Sequence, residues 1–166
     1  MTKPLIVTLQ LDKETAQYFN ELRKQYFPAH INYLDAHLTM FHALPANETV
    51  VQHTIGSLCR RRPMELIISG LKNIGNGVAY SVVSEELLAM HAIMQKSFEA
   101  FLIGKDKQEF WPHITIQNKV TAFKARSLFE ELSAGFSPFP VKATGISIFV
   151  YEGGPWSHLQ DFPFVE

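Results

Sequence analysis

The sequence predicts an α+β fold with a largely antiparallel sheet and an internal duplication. Three observations carry this. Strand-like and helix-like segments alternate along the chain. The connection at 73–77 is too short for the crossover that parallel strands need. And a helix followed by a His-containing strand, then by a second helix and further apolar strand segments, occurs twice over.

Each element has its own signal. Leu5–Leu11 alternates apolar residues with Thr8 and Gln10, as a strand does. Asp12 can cap a helix running to Tyr26, with Tyr18, Leu22 and Tyr26 as one apolar stripe, and Pro28 stops it. A strand at 36–44 is closed by Pro45. Asn47 can cap a second helix, which carries Val51, Ile55 and Leu58 at helical spacing and ends at Arg60, Arg61, Arg62 and Pro63. Segments 65–72 and Val78–Val83 flank Gly75, Asn76 and Gly77, a hairpin signal. Ser84, followed by Glu85 and Glu86, opens the clearest helix, with Leu87, Met90, Met94, Phe98 and Phe101 on one face. A strand at 111–119 follows, then a helix capped by Thr121, running to about Ser133 and closed by Gly135. A long strand at 141–151, a turn at Gly153-Gly154-Pro155 and an extended segment at 156–164 complete the order.

The 166 residues suit one domain, 1–166, large enough for a real core. With 46% hydrophobic and 19% charged residues the chain is not a disordered one, and a single cysteine excludes a disulfide scaffold. The same lone cysteine and the absence of any run approaching ~20 apolar residues lead to the expectation of a cytoplasmic protein with no membrane partner. A net charge of −1 argues against wrapping duplex nucleic acid but leaves room for a small phosphorylated ligand in a local pocket.

Two tetrapeptides carry chemistry: His37-Leu38-Thr39-Met40 and His113-Ile114-Thr115-Ile116. Side chains alternate along a strand, so each places an imidazole and a hydroxyl on one face and two apolar anchors on the other. From 7 His, 46% apolar residues and 19 Ser or Thr, roughly 0.2 such matches are expected by chance, and two occur. Two imidazoles titrating near neutrality can act as acid and base on either side of a phosphorus, while two hydroxyls hold its non-bridging oxygens. A metal site fits less well, since no carboxylate cluster or helical His-x-x-x-His accompanies the histidines.

On these motifs the chain resembles the 2H phosphoesterase superfamily, which includes the bacterial 2′-5′ RNA ligase-like proteins and cyclic phosphodiesterases. Trp111-Pro112 before the second motif, the duplicated element order and the closing Tyr151-Glu152-Gly153-Gly154-Pro155-Trp156 are similar to the ligase-like branch. The resemblance implies a two-lobed, pseudo-symmetric fold with the catalytic groove between the lobes. It implies cleavage of 2′,3′-cyclic phosphates or 2′-5′ phosphodiesters of nucleotides or RNA ends without metal or organic cofactor, with RNA ligation as a reverse activity of some members. His37 and His113 then become the acid/base pair, and Thr39 and Thr115 the phosphate binders. The expected partner is a small nucleotide or RNA terminus, and the expected state a monomer. A non-catalytic module binding nucleotide or RNA phosphates in the same groove is the alternative.

Trp111, Tyr151, Trp156, Tyr33 and Phe41 are able to stack on a base, and Phe41 shares parity with His37 and Thr39 in a regular strand. Phe41 and Tyr151 are the leading groove candidates. His42 has the wrong parity to join them, which predicts a structural role. His91 shares an apolar helical face with Leu87 and Met94 and reads as a hydrogen-bonded core residue, and Cys59 as a small buried hydrophobe. Arg60-Arg61-Arg62 reads as a solvated helix end; Lys119, Lys124 and Arg126 are better placed for a longer strand. Thirteen of the 20 aromatic residues are Phe, and Phe98, Phe101, Phe123 and Phe129 are expected to fill the interior.

Overall fold

A computed structural model describes residues 2–166. Seven strands and four helices follow in the order β1 (Leu5–Leu11), α1 (Lys13–Tyr26), β2 (Leu38–Leu44), α2 (Thr49–Leu58), β3 (Met64–Asn73), β4 (Val78–Val83), α3 (Glu85–Ser97), β5 (His113–Gln117), α4 (Ala122–Ala134), β6 (Phe139–Tyr151) and β7 (Trp156–Pro163). Short 3-10 turns lie at Ala29–Ile31 and Gly104–Lys107. The capping side chains of three helices act as expected. Asp12 accepts from Thr15 N, Ser84 from Leu87 N and Thr121 from Lys124 N. The second helix departs from expectation: Glu48, not Asn47, holds its cap position, and no side-chain bond caps it.

All strand pairs are antiparallel, and the sheet order is β2-β1-β6-β3-β4-β5, with β7 beside β6. This order is its own mirror. Exchanging β1 with β4, β2 with β5 and β3 with β6 reverses it, and the same exchange maps the first β-α-β-α-β run onto the second. The fold is therefore two similar lobes joined where β3 meets β6 around Leu66 and Val141. Only β7 has no counterpart. The sheet is curled, so its edge strands β2 and β5 come together, with Cα atoms within 8 Å although they share no ladder. The two motifs ride on those edges.

Both motif strands carry a one-residue bulge at the same place. Thr8 faces Thr39 but Val7 faces Phe41, so Met40 is the extra residue; Ala79 faces Thr115 but Val78 faces Gln117, so Ile116 is. A bulge reverses side-chain parity beyond it. This corrects the expectation for Phe41. It turns into the core, 0% exposed, stacked on His91 at 4.6 Å and edge-on to Phe98 at 5.5 Å. It cannot stack on a ligand base. The same reversal buries Gln117, whose Oε1 has no hydrogen-bond partner among the described residues.

The buried apolar residues form one core on which both lobes draw. Two other expectations change. The buried face of α1 is Thr15, Phe19 and Arg23, while Tyr18 is exposed. Phe123 is also exposed, because α4 buries Ala125 and Leu128 on its opposite side. Phe98 is buried as expected, and so is Cys59, whose thiol is pushed up to about 11 by burial. His91 is a core histidine, its ring donating Nε2–H to Met40 O at 3.0 Å. Among the described residues no helix is long and apolar enough to cross a membrane.

Candidate active site

The two motif histidines are held in the same way. His37 Nδ1–H donates to Asp35 O at 2.7 Å, and His113 Nδ1–H to Trp111 O at 2.8 Å. Each bond runs to the carbonyl two residues back, at the mouth of its strand. It fixes the tautomer with Nδ1 protonated and leaves Nε2 as the nitrogen free to exchange a proton. An indole lies against each ring: Trp111 stacks on His113 at 4.0 Å, and Trp156 of β7 tilts against His37 at 4.7 Å. Behind each motif, Leu38 and Met40, or Ile114 and Ile116, anchor in the core.

The segments that deliver the motifs are pinned by the helices. Asn20 Oδ1 accepts from Ala36 N at 2.6 Å, and Arg23 Nε donates to Asn32 Oδ1 at 3.2 Å, which fixes the approach to His37. Arg23 also crosses to the other lobe and donates from Nη1 to Thr115 O at 3.0 Å. Its counterpart is the His91 bond from α3 to Met40 O. Each lobe thus sends one side chain from a helix to a main-chain carbonyl of the other lobe's motif strand. Arg23 is 4% exposed and covers the Phe27 ring at 4.0 Å; burial lowers its pKa, with Asp35 opposing. Hydropathy patterning hides such a residue, because a buried arginine reads as a solvent-facing one.

Electrostatics favour neutral imidazoles. Burial in the groove wall pushes His37 down to about 4, and the charges of Arg23, His113 and His42 add to it, against the bond to Asp35. His113 is lowered as well, first by burial and then by His42, Lys105 and Lys72. Lys72 Nζ sits 4.7 Å from the centre of the Trp111 ring, on which His113 also stacks.

Two clefts lie at the start of β2. One, of about 420 Å³, holds His37 together with Tyr33, Trp156, Phe149, Ser147 and Gln10. The other, of about 500 Å³, holds Thr39, His113, Thr115, His42, Lys105 and Asn118. Thr39, His113 and Thr115 therefore line one cleft, and His37, just before Leu38 at the start of β2, lines the other. Tyr151 lies at the tip of β6 opposite Trp156 and lines neither cleft. A further cavity of about 580 Å³ opens between α1 and β6, lined by Asp12, Glu14 and Glu65, carboxylates that disfavour a phosphate.

His42 is the groove residue that strand parity misses. The Met40 bulge turns it to the Thr39 side, and its Nδ1–H donates to Asp106 Oδ1 at 3.1 Å. Asp106 is buried and also accepts from His42 N and Ala43 N. Burial alone would raise its carboxyl, but these bonds, with His42's side chain foremost, hold it below the usual carboxylate value. The repeat of the motif five residues on, His42 against Asn118, was the available signal, legible only once both bulges are known.

A family model described as the 2′-5′ RNA ligase superfamily matches residues 11–155. No curated protein sequence matches significantly. Among solved structures, TT0787 of Thermus thermophilus superposes with a TM-score of 0.69 at 16% identity, over 97% of both chains. LigT of E. coli, crystallised with 3′-AMP, gives 0.61 at 13% identity over 100% of both chains. Usb1 of Kluyveromyces marxianus gives 0.54 at 14% identity, over 98% of this chain and 99% of that one. These likenesses show the same two-lobed fold.

Proposed function

The chain belongs to the 2′-5′ RNA ligase superfamily, and from that premise we propose that it is a metal-independent phosphoesterase. It cleaves a 2′,3′-cyclic phosphate or a 2′-5′ phosphodiester of a nucleotide or RNA end by two-histidine acid–base catalysis. The observation that carries this reading is the pair of imidazoles on two facing strand edges, each tied through Nδ1–H to the carbonyl two residues back.

In the proposed reaction the phosphate sits between the edges, its non-bridging oxygens accepting from the hydroxyls of Thr39 and Thr115. Nε2 of one histidine takes a proton from water as the water oxygen bonds to phosphorus. The opposite P–O bond breaks in line, and the leaving ribose oxygen takes a proton from Nε2–H of the other. His37 is the base, since burial holds it neutral down to about pH 4. His113 is the acid. Its proton is disfavoured first by burial and then by the charges of His42, Lys105 and Lys72, and a bound phosphate anion opposes these and favours the protonated ring. That LigT was crystallised with 3′-AMP, NADP+ and ATP supports a nucleotide as the ligand class. The aromatic cleft beside His37, with Tyr33 and Trp156, suits a base better than the buried Phe41 does.

The test is a panel of phosphoesters that includes 2′,3′-cyclic nucleotides and 2′-5′ dinucleotides, assayed with and without chelator. Turnover that survives chelation and is lost in His37→Ala supports the reading. Saturable nucleotide binding with no product across the panel would instead support the binding module.

A further inference from the structure

Beside the reacting centre, the cleft on the His113 side has a polar end whose side chains neither exchange a proton nor hold a phosphate oxygen in the proposed reaction. His42 is fixed there by a carboxylate whose side chain is only 1% exposed, so its ring has one defined orientation, with Nε2 as the remaining polar atom. Asn118 occupies the equivalent position in the other lobe, delivered by the equivalent bulge, and Lys105, on the 3-10 turn that also supplies Asp106, lines the same cleft. The acidic groups on this wall are Asp106, whose oxygens are already taken by His42 and Ala43, and Glu109 at the exposed rim. The buried Asp106 carboxylate caps the β2 amides of His42 and Ala43 and also locks the His42 imidazole, so the free Nε2 belongs to a ring held in place at the cleft wall.

We propose that His42, Lys105 and Asn118 form a second anion subsite, which takes a phosphoryl group one nucleotide unit away from the reacting phosphorus. The substrate class is then a nucleotide or RNA end with two phosphates, and not a nucleoside cyclic monophosphate alone. This rests on the phosphoesterase reading for the identity of the first site. The cleft volume of about 500 Å³ leaves space for such a group beside Thr39 and Thr115. Cationic and amide donors around it give charge-assisted bonds to a phosphate.

The experiment measures binding and turnover separately. By calorimetry, wild-type protein is expected to bind a nucleoside 3′,5′-bisphosphate about 10- to 100-fold more tightly than the 3′-monophosphate, as charge-assisted bonds warrant. His42→Asn keeps an amide donor for Asp106 but removes Nε2, and it is expected to cut that advantage to about threefold or less. Lys105→Ala, an exposed position that does not threaten folding, is expected to cut it too. Equal affinities in the wild type, or equal weakening of both ligands by His42→Asn, would overturn the subsite. In the kinetic arm, 2′,3′-cyclic nucleotides with and without a 5′-phosphate are compared. Equal kcat/KM for the two overturns the subsite while the phosphoesterase reading stands. Turnover of neither, with the bisphosphate still bound preferentially, supports the subsite and overturns that reading. Failure to bind either ligand overturns both.

Discussion

Replacing His37 by Asn should make the protein more resistant to acid. The folded state holds this imidazole at about 4, whereas an ordinary imidazole titrates near 6.5. Between those values the unfolded chain binds a proton at residue 37 and the folded protein does not. The contribution to stability is therefore complete above pH 6.5, is lost as pH falls towards 4, and is constant below that. At about 1.36 kcal/mol per pH unit the whole loss is about 3 kcal/mol, of which about 2 kcal/mol falls between pH 7 and pH 5. Asn keeps a donor for Asp35 O and does not titrate, so it removes this dependence while disturbing the local geometry little. His91 and His113 are also lowered by burial, but they are present in both proteins and cancel in the difference. Urea unfolding at pH 7 and pH 5 measures it: the wild type should lose about 2 kcal/mol more than His37→Asn between the two. Equal losses would mean that His37 titrates normally in the folded state, and the electrostatic reading of the groove would fall with it.

Three other outcomes follow from the same geometry. With His37 as base at about 4 and His113 as acid below 6.5, kcat/KM on a 2′,3′-cyclic nucleotide should be bell-shaped with its maximum on the acid side of pH 6.5; a maximum above pH 8 would refute the assignment. Arg23→Met should lower stability by about 2 kcal/mol, since it strips the donor from Thr115 O and Asn32 Oδ1 but also relieves a buried charge. Because Arg23 disfavours the charged form of His37, the same substitution should move that ring's titration upward, which NMR reads directly. Gly77→Ala should cost about 3 kcal/mol in urea unfolding, because its Cβ would fall 1.9 Å from the Gln117 carbonyl oxygen and the β3–β4 turn could not stay against β5.

Much of the fold was legible because its signals are local. A capping side chain such as Asp12, Ser84 or Thr121 needs only the amides two or three residues on, and the Gly75–Gly77 turn needs only itself. The motif strands were legible too, since alternation places His and Thr on one face wherever the strand sits. Alternation holds only up to the first bulge, and a bulge is set by the partner strand. Phe41, His42 and Gln117 therefore could not be assigned from their own sequence. Arg23 was missed for a related reason. Its burial depends on a carbonyl of β5, 92 residues away, that accepts its Nη1–H. Asp106 depends likewise on amides of β2 in the other lobe. The sequence records the chemistry of the groove, while the pieces of its wall that come from the opposite lobe emerge only in three dimensions.

The central claim is that His37 and His113 act as one acid–base unit, and a kinetic double-mutant cycle on a 2′,3′-cyclic nucleotide tests it most directly. His37→Ala and His113→Ala should each lower kcat by about 10²–10⁴-fold with the fold intact, and the double variant should be little worse than the poorer single one, because the two groups serve one displacement. Turnover close to wild type in either single variant would contradict the claim. Fully multiplicative losses would contradict their acting as a unit.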